Sequence, residues 1–180
     1  MCYTICMRSI ILIGHNLRSC HNVGSLLRTA EGLGLAKVYL TGYTPYPGGQ
    51  ADDPRLPHEA LKLTKQIHKT ALDAENQIDW EHRGDVFSLL TSLRADGYAV
   101  MAVEQSDTSI ALPHFVVPQK IALLVGREVE GMEPEILAAC DGALEIPMFG
   151  HKESFNVVQA AAMALYHCAF MPFESRPRQS

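Results

Sequence analysis

Three short stretches of this chain place polar and charged side chains next to glycines. The first runs from Asn22 through Arg28 (NVGSLLR), the second is the turn 126–131 (GREVEG), and the third is 144–165, which contains Ser154. A carboxylate can orient a neighbouring group or accept a proton, and a guanidinium offers a fixed positive charge to an anion. In an α/β domain, turns between strands and helices are where ligand-binding loops lie. These stretches are therefore the candidates for a site.

The turn GREVEG directly follows the apolar run 121–125 (IALLV), which is typical of a buried strand. Its two glycines let the backbone approach a ligand closely, and Glu128 and Glu130 bring carboxylates to the same place. Taken alone, the turn is more typical of an ordinary strand-to-helix connection, in which acidic residues are favoured by the helix dipole. The turn by itself does not identify a site.

Several common catalytic motifs are absent. Gly32-Leu33-Gly34 resembles the start of a dinucleotide-binding fingerprint, but it precedes a strand, and Lys37 stands where the third glycine should be. There is no GxSxG elbow, which excludes Ser154 as a hydrolase nucleophile of that type, and no GxxxxGK[ST] loop. The 5 cysteines match no CxxC pattern and the 8 histidines show no ligand spacing. We expect no metal site, and reduced thiols in a cytoplasmic protein.

The composition indicates a globular protein. We expect residues 1–180 to form a single domain, with 1–7 as a non-native start or a frayed end. The longest apolar runs are strand-length, far below the ~20 residues that cross a bilayer, so we expect no membrane association. The formal net charge of −5 argues against a general nucleic-acid binder. It permits a local basic groove, because phosphate contacts depend on clustered Lys and Arg.

The hydrophobic pattern predicts strands that alternate with helices. Predicted strands cover 9–13, 37–40, 99–103, 121–125 and 144–148, and predicted helices cover 22–32, 85–95, 135–139 and the alanine-rich part of 144–165. This alternation predicts an α/β fold with a mostly parallel sheet flanked by helices. Asn22 is predicted as the N-cap of the first helix. Val23, Leu26, Leu27 and Ala30 form its apolar stripe, with Arg28 on a different face.

A long polar stretch, 41–58, contains several prolines and glycines and is predicted to be a loop. Beyond it, Lys62, Lys65 and Lys69 recur at roughly helical spacing, together with His68. This pattern alone favours a solvated helical face over an RNA contact. The loop and the three lysines are nevertheless where we would expect RNA to bind, if RNA is the substrate.

The three stretches, read as NVGSLLRTAEGLG, LLVGREVEGM and IPMFGHKESFNVVQAA, resemble in order and position the three motifs of the SpoU-type (TrmH-like) RNA 2′-O-ribose methyltransferases. These enzymes belong to the SPOUT superfamily, and the resemblance covers residues 10–166. It implies a C-terminal deep trefoil knot, a rare exception among protein folds. It also implies a homodimer that binds S-adenosyl-L-methionine in the knot and methylates a ribose 2′-hydroxyl of RNA.

The resemblance assigns roles to individual residues. The catalytic candidates are Asn22, Arg28, Glu128, Ser154 and Asn156. The cofactor-binding candidates are Val103, Glu104, Val125, Gly126, Glu128, Gly131, Ile146, Met148, Ser154, Phe155 and Asn156. Two positions depart from the family pattern: Arg127 replaces the more usual Asn, and Phe155 replaces the usual Leu.

Methyl transfer to an alcohol requires alignment, loss of the hydroxyl proton and stabilisation of the developing alkoxide. The family implies Arg28 as general base, whereas a guanidinium pKa above ~12 favours a fixed charge that clamps phosphate. Glu128 could orient Arg28 or Asn22, or accept the proton. Because no additional RNA-binding domain is evident, tRNA is favoured over rRNA as the substrate. The alternatives are a non-catalytic RNA-binding protein of the same fold and a nucleotide-binding oxidoreductase, which the missing fingerprint disfavours.

Overall fold

The computed structural model describes residues 8–49, 53–127 and 131–172. The strands of this part are β1 (Ser9–His15), β2 (Lys37–Thr41), β3 (Trp80–Arg83), β4 (Ala99–Val103), β5 (Ile110–Ala111), β6 (Lys120–Val125) and β7 (Gly142–Glu145). The α-helices are α1 (Cys20–Gly32), α2 (Pro57–Ala71), α3 (Val86–Ala95), α4 (Pro134–Ala139) and α5 (Val157–Phe170). No helix among these residues is long and apolar enough to cross a bilayer.

All seven described strands form one sheet in the order β3-β2-β1-β6-β4-β7-β5, and every neighbouring pair is parallel. Alternate residues of β1 point to opposite faces. Ile10 and Leu12 pack with α1, α2 and α5, whereas Ile11 and Ile13 pack with α3 and α4. Because helices cover both faces, the central strands are apolar on both sides, which explains the continuous apolar runs in the sequence. The predicted α/β class with a parallel sheet is confirmed.

Two strands were not predicted. The strand β3 reads Trp-Glu-His-Arg and lies at one edge of the sheet, so it lacks the apolar pattern of a buried strand. The strand β5 has only two residues and lies at the opposite edge. The predicted strand 144–148 was also misplaced, because β7 ends at Glu145. The apolar residues beyond it belong to a turn that contains Pro147, which cannot donate to a strand ladder.

The predicted N-cap of the first helix was wrong by one turn. Ser19 is the N-cap, and its hydroxyl accepts a hydrogen bond from the backbone N–H of Asn22 at 3.2 Å. A serine caps a helix as well as an asparagine does, so the pattern did not distinguish the two positions. Asn22 therefore lies inside the first turn of α1. The predicted apolar stripe of this helix is fully buried, and Arg28 is exposed as expected.

Gly24 lets α1 and α2 touch through their backbones. A Cβ atom at this position would lie 2.3 Å from the carbonyl oxygen of Ile67, 2.3 Å from Thr70 Oγ1 and 2.9 Å from the amide nitrogen of Ala71. The Thr70 hydroxyl also donates to the carbonyl of His21 at 2.8 Å, which joins the two helices at the same level. The glycine of the first motif therefore has a packing role that the sequence did not reveal.

We predict that Gly24→Ala lowers the free energy of unfolding by about 2 kcal/mol, because the added methyl group forces backbone atoms apart. Gly32→Ala is the matched control, since a Cβ there meets nothing within 4 Å. In a helix it should be neutral or stabilising by up to about 1 kcal/mol. Urea denaturation of both variants measures the difference. Equal stability of the two variants would contradict the close contact at Gly24.

Candidate functional site

A cavity of about 180 Å³ lies at the carboxyl ends of β4, β6 and β7. These strands are neighbours in the sheet and run parallel, so Val103, Val125 and Leu144 end at the same edge. A single buried water needs only about 10–15 Å³ measured in this way. The cavity therefore has room for a small molecule, at the edge of the sheet where α/β proteins bind ligands.

Most of the predicted cofactor residues meet in this cavity. Its lining includes Val103, Glu104, Val125, Gly126, Gly131, Ile146, Ser154 and Phe155. Met148 and Asn156 are not part of the lining, and Glu128 lies outside the described residues. The geometry brings the ends of three strands and the segment before α5 to one place. The roles of the individual residues stay predictions.

Glu104 holds two of the loops that enclose the cavity. One carboxylate oxygen accepts from the backbone N–H of Met132 at 3.1 Å, and the other accepts from Gln105 N–H at 3.1 Å. The side-chain amide of Gln105 in turn donates to the carbonyl oxygen of Glu153 at 3.2 Å. Gly131, where the glycine turn ends, has a φ of +72°, a conformation that favours glycine. The end of β4 is thus connected to both the second and the third motif.

The third motif supplies the apolar wall and the start of α5. Phe155 and Ile146 line the cavity, and Ala160 faces it from the first turn of the helix. Asn156 is the N-cap of α5, since its side-chain oxygen accepts from Val158 N–H at 2.9 Å. A cap of this kind contributes about 1 kcal/mol to helix stability. In the described structure the amide of Asn156 thus has a structural task, with Phe155 directly before it.

A partly buried polar cluster adjoins the cavity at Arg127, and the sequence analysis did not predict it. The Arg127 guanidinium pairs with Glu133 and lies 5.8 Å from the centre of the Tyr43 ring. Glu133 also accepts from Asn16 Nδ2 at 3.2 Å and lies 4.0 Å from His15 Nε2. The members come from the ends of β1, β2 and β6 and the N-cap of α4, so only the folded sheet brings them together.

Burial and hydrogen bonds together set the charges in this cluster. Burial lowers the pKa of His15, against the opposing pull of Glu133, so the imidazole is neutral at pH 7. Burial tends to raise the pKa of Glu133, but a backbone hydrogen bond, Asn16 and Arg127 outweigh it, and the net shift is downward. Glu133 is therefore ionised and neutralises Arg127. Arg127, which departs from the family pattern, is thus paired with a carboxylate of its own chain.

Arg28 and Asn22 are not part of the cavity. Arg28 lies on the exposed face of α1, in a groove that it shares with Ser25, Thr29, Lys69 and Thr70. Of the predicted catalytic residues, only Ser154 lines the cavity among those the structure describes. Within one chain, the first motif and the cavity are separate features.

The chain matches the model of the SpoU rRNA Methylase family over residues 9–166. It is 35% identical over 74 residues to the tRNA (guanosine(18)-2′-O)-methyltransferase of Borreliella burgdorferi, which covers 41% of this chain and 34% of that protein. It is 26% identical over 158 residues to a protein of Staphylococcus saprophyticus that is named as a TrmH family tRNA/rRNA methyltransferase, covering 88% of this chain and 57% of that one. The chain thus spans about half the length of these curated relatives or less.

Solved structures share the fold. The TrmH/SpoU tRNA modifying enzyme of A. aeolicus has a TM-score of 0.70 at 20% identity, over 91% of this chain and 76% of that one. The AdoMet-bound rRNA methyltransferase of Sinorhizobium meliloti has a TM-score of 0.73 at 19% identity, over 90% and 56% of the two chains. These likenesses assign the SPOUT fold, whereas the trefoil knot itself stays a prediction. Because the family model matches residues 9–166 of the 180, this chain belongs to the SpoU rRNA methylase family.

Proposed function

We propose that this protein is an S-adenosyl-L-methionine-dependent methyltransferase that methylates a ribose 2′-hydroxyl in RNA. The observation that carries the proposal is the cavity at the carboxyl ends of β4, β6 and β7, whose lining includes eight of the predicted cofactor residues. The names of the relatives support the reaction class. The relative that acts on guanosine 18 of tRNA supports tRNA over rRNA.

The residues present fit this cofactor. Gly126 lines the cavity, and a Cβ there would lie 3.3 Å from the methyl carbon of Met132, so a larger residue would require Met132 to shift. Phe155, 37% exposed, offers an aromatic face for an adenine, and the backbone at Gly126 and Ile146 offers hydrogen-bonding groups for the ligand's polar atoms. The cofactor supplies an electrophilic methyl group. The chain itself binds and orients it.

We predict that Ala160→Leu weakens S-adenosyl-L-methionine binding by about tenfold or more, because the larger side chain occupies the cavity. Ala95→Leu is the control, since Ala95 is an exposed alanine in α3, a helix on the opposite face of the sheet. Titration calorimetry measures both affinities. If Ala160→Leu binds the cofactor as tightly as the control does, the ligand occupies a different place.

Arg28 acts on the acceptor side in this proposal. Among the described residues, no carboxylate lies within ion-pairing distance of its guanidinium, and no hydrogen bond holds it within its own chain. A guanidinium rarely gives up its proton, so a fixed positive charge is the easier role. Such a charge can clamp an RNA phosphate and stabilise the alkoxide that develops on the ribose.

The active unit that we propose is a homodimer, because one chain leaves Arg28 outside the cavity. Helix α5 also carries an apolar surface patch that suits a protein partner. Tyr166 is 61% exposed and Phe170 is 58% exposed, and their ring centres lie 4.6 Å apart. Met163 and Met171 line the same groove as these two rings. A second copy seated on α5 would cover this patch and bring its own Arg28 to the cavity of the first.

We predict that Arg28→Ala abolishes methyl transfer and leaves cofactor affinity unchanged, since Arg28 does not line the cavity of its own chain and the proposed dimer places it on the acceptor RNA. At a cofactor concentration too low to fill the Ala160→Leu cavity, mixing Arg28→Ala with Ala160→Leu should restore transfer, because a mixed dimer has one site with an intact cavity and an intact partner arginine. Radiolabelled methyl transfer to bulk tRNA measures this. Verified mixed dimers without restored activity would mean that Arg28 serves its own chain.

We predict that Phe170→Asp shifts the protein from dimer to monomer and lowers methyl transfer, because a carboxylate cannot be buried in an apolar interface. Phe87→Asp is the control, since Phe87 is 48% exposed on α3 and lies outside the patch. Sedimentation equilibrium gives the mass of each variant. If the Phe170→Asp protein remains dimeric, α5 does not form the dimer interface.

We also propose a cytoplasmic location, in keeping with unpaired cysteines. Cys20, Cys140 and Cys168 are free thiols in the described structure. Burial raises the pKa of Cys168 to about 12 and that of Cys140 to about 11, so both are unreactive at neutral pH.

A further inference from the structure

Helix α2 is a basic element in an acidic protein. The whole chain has a formal net charge of −5, yet α2 contains Lys62, Lys65 and Lys69 against a single carboxylate, Glu59. Glu59 lies in the first turn, where the helix dipole favours it, and so it is remote from the other end of the helix. The positive charge of α2 therefore increases toward its C-terminal end, where Lys69 lies.

The three lysines share one side of α2. Positions 62, 65 and 69 follow the spacing that places helical residues on one face, and all three side chains are exposed. In the part of the chain that the structure describes, none of them lies within ion-pairing distance of a carboxylate. We refer to these three residues as the lysine strip.

At its C-terminal end, the lysine strip lies next to Arg28 of α1. Lys69 and Arg28 line the same surface groove between α2 and α1, together with the hydroxyl-bearing residues Ser25, Thr29 and Thr70. The backbone contact at Gly24, one turn before Arg28, fixes the distance between the two helices at this groove. The helix segments that carry the two cations are therefore fixed relative to each other by packed backbone.

The covalent structure of RNA indicates which ligand this groove would bind. The 2′-hydroxyl of a ribose and the phosphodiester on its 3′-oxygen are only a few covalent bonds apart. A residue that acts on the hydroxyl must therefore lie close to that phosphate. A phosphodiester is an anion that Lys binds as a point charge and Arg binds with its planar fork of donors.

We propose that the lysine strip is the RNA-backbone binding surface of this protein, with Lys69 on the phosphate next to the acceptor ribose at Arg28. Lys65 and Lys62 bind the following phosphates of the same strand. The inference rests on the proposed function, because it takes Arg28 as the acceptor-side residue. It makes the strip a positioning device that recognises the backbone and carries no sequence information.

The test measures RNA binding as a function of salt, separately from methyl transfer. The variants are Lys69→Gln, the triple variant Lys62→Gln/Lys65→Gln/Lys69→Gln, and Lys120→Gln as the control. Lys120 is an exposed lysine at the amino end of the central strand β6, whereas the cavity lies at the carboxyl ends of the strands. A fluorescent tRNA transcript is titrated at several KCl concentrations, and steady-state kinetics follow methyl transfer.

Log K for RNA binding decreases as log salt increases. For single-stranded contacts, the magnitude of this slope becomes smaller by about 0.7 for each phosphate contact that is lost. We expect a decrease of about 0.7 for Lys69→Gln and about 2 for the triple variant. KM for RNA should rise severalfold, while the affinity for S-adenosyl-L-methionine stays unchanged. Lys69→Arg should restore the slope, because the charge matters and the exposed side chain has no packing role.

Three results would overturn the proposal, and they can be distinguished from one another. If the protein without substitutions methylates RNA and the triple variant has the same salt slope and KM, the lysine strip does not bind RNA and the proposed function stands. If the unchanged protein neither binds nor methylates any component of total RNA, the proposed function fails and the strip fails with it. A loss in Lys120→Gln equal to that in Lys69→Gln would also count against the strip, because it would indicate a general charge effect.

Discussion

The position of β6 between β1 and β4 determines the rest of this structure. Its backbone pairs in parallel with β1 from Ser9 to Gly14 and with β4 from Ala99 to Ala102. Parallel pairing on both sides brings the carboxyl ends of the central strands to one edge of the sheet. The loops that follow β4, β6 and β7 must then meet there. The cavity is a consequence of this register, and Glu104 at the end of β4 secures the neighbouring turns through hydrogen bonds.

The buried elements could be predicted from the sequence because burial leaves a pattern. The apolar run of β1 and the stripe of α1 both follow the period of their element, and both lie in the core. β3 could not be predicted in this way, because an edge strand with charged residues has no such pattern. The start of α1 was ambiguous for a local reason: Ser19 and Asn22 are both good caps, and the folded chain uses the serine.

The candidate site was predictable only where short sequence motifs carry it. Gly126, Ile146 and Phe155 meet in the cavity as the family resemblance implies. The cluster of Arg127, Glu133 and His15 was not predictable, because its members are far apart in the chain and meet through the sheet register. The same holds for Gly24, whose need for a glycine comes from α2, more than 40 residues later. Long-range packing, not local pattern, decides such positions.

The ion pair at Arg127 has a consequence for cofactor binding. The proposed cofactor carries a positively charged sulfonium, and Arg127 lines the cavity that would hold it. Two like charges in one cavity repel each other, more strongly in a partly desolvated site than in water. Glu133 offsets this repulsion, since its carboxylate pairs with the guanidinium and is itself fixed by Asn16. An arginine is thus compatible with the second motif because the end of β1 and the N-cap of α4 provide a matching negative charge.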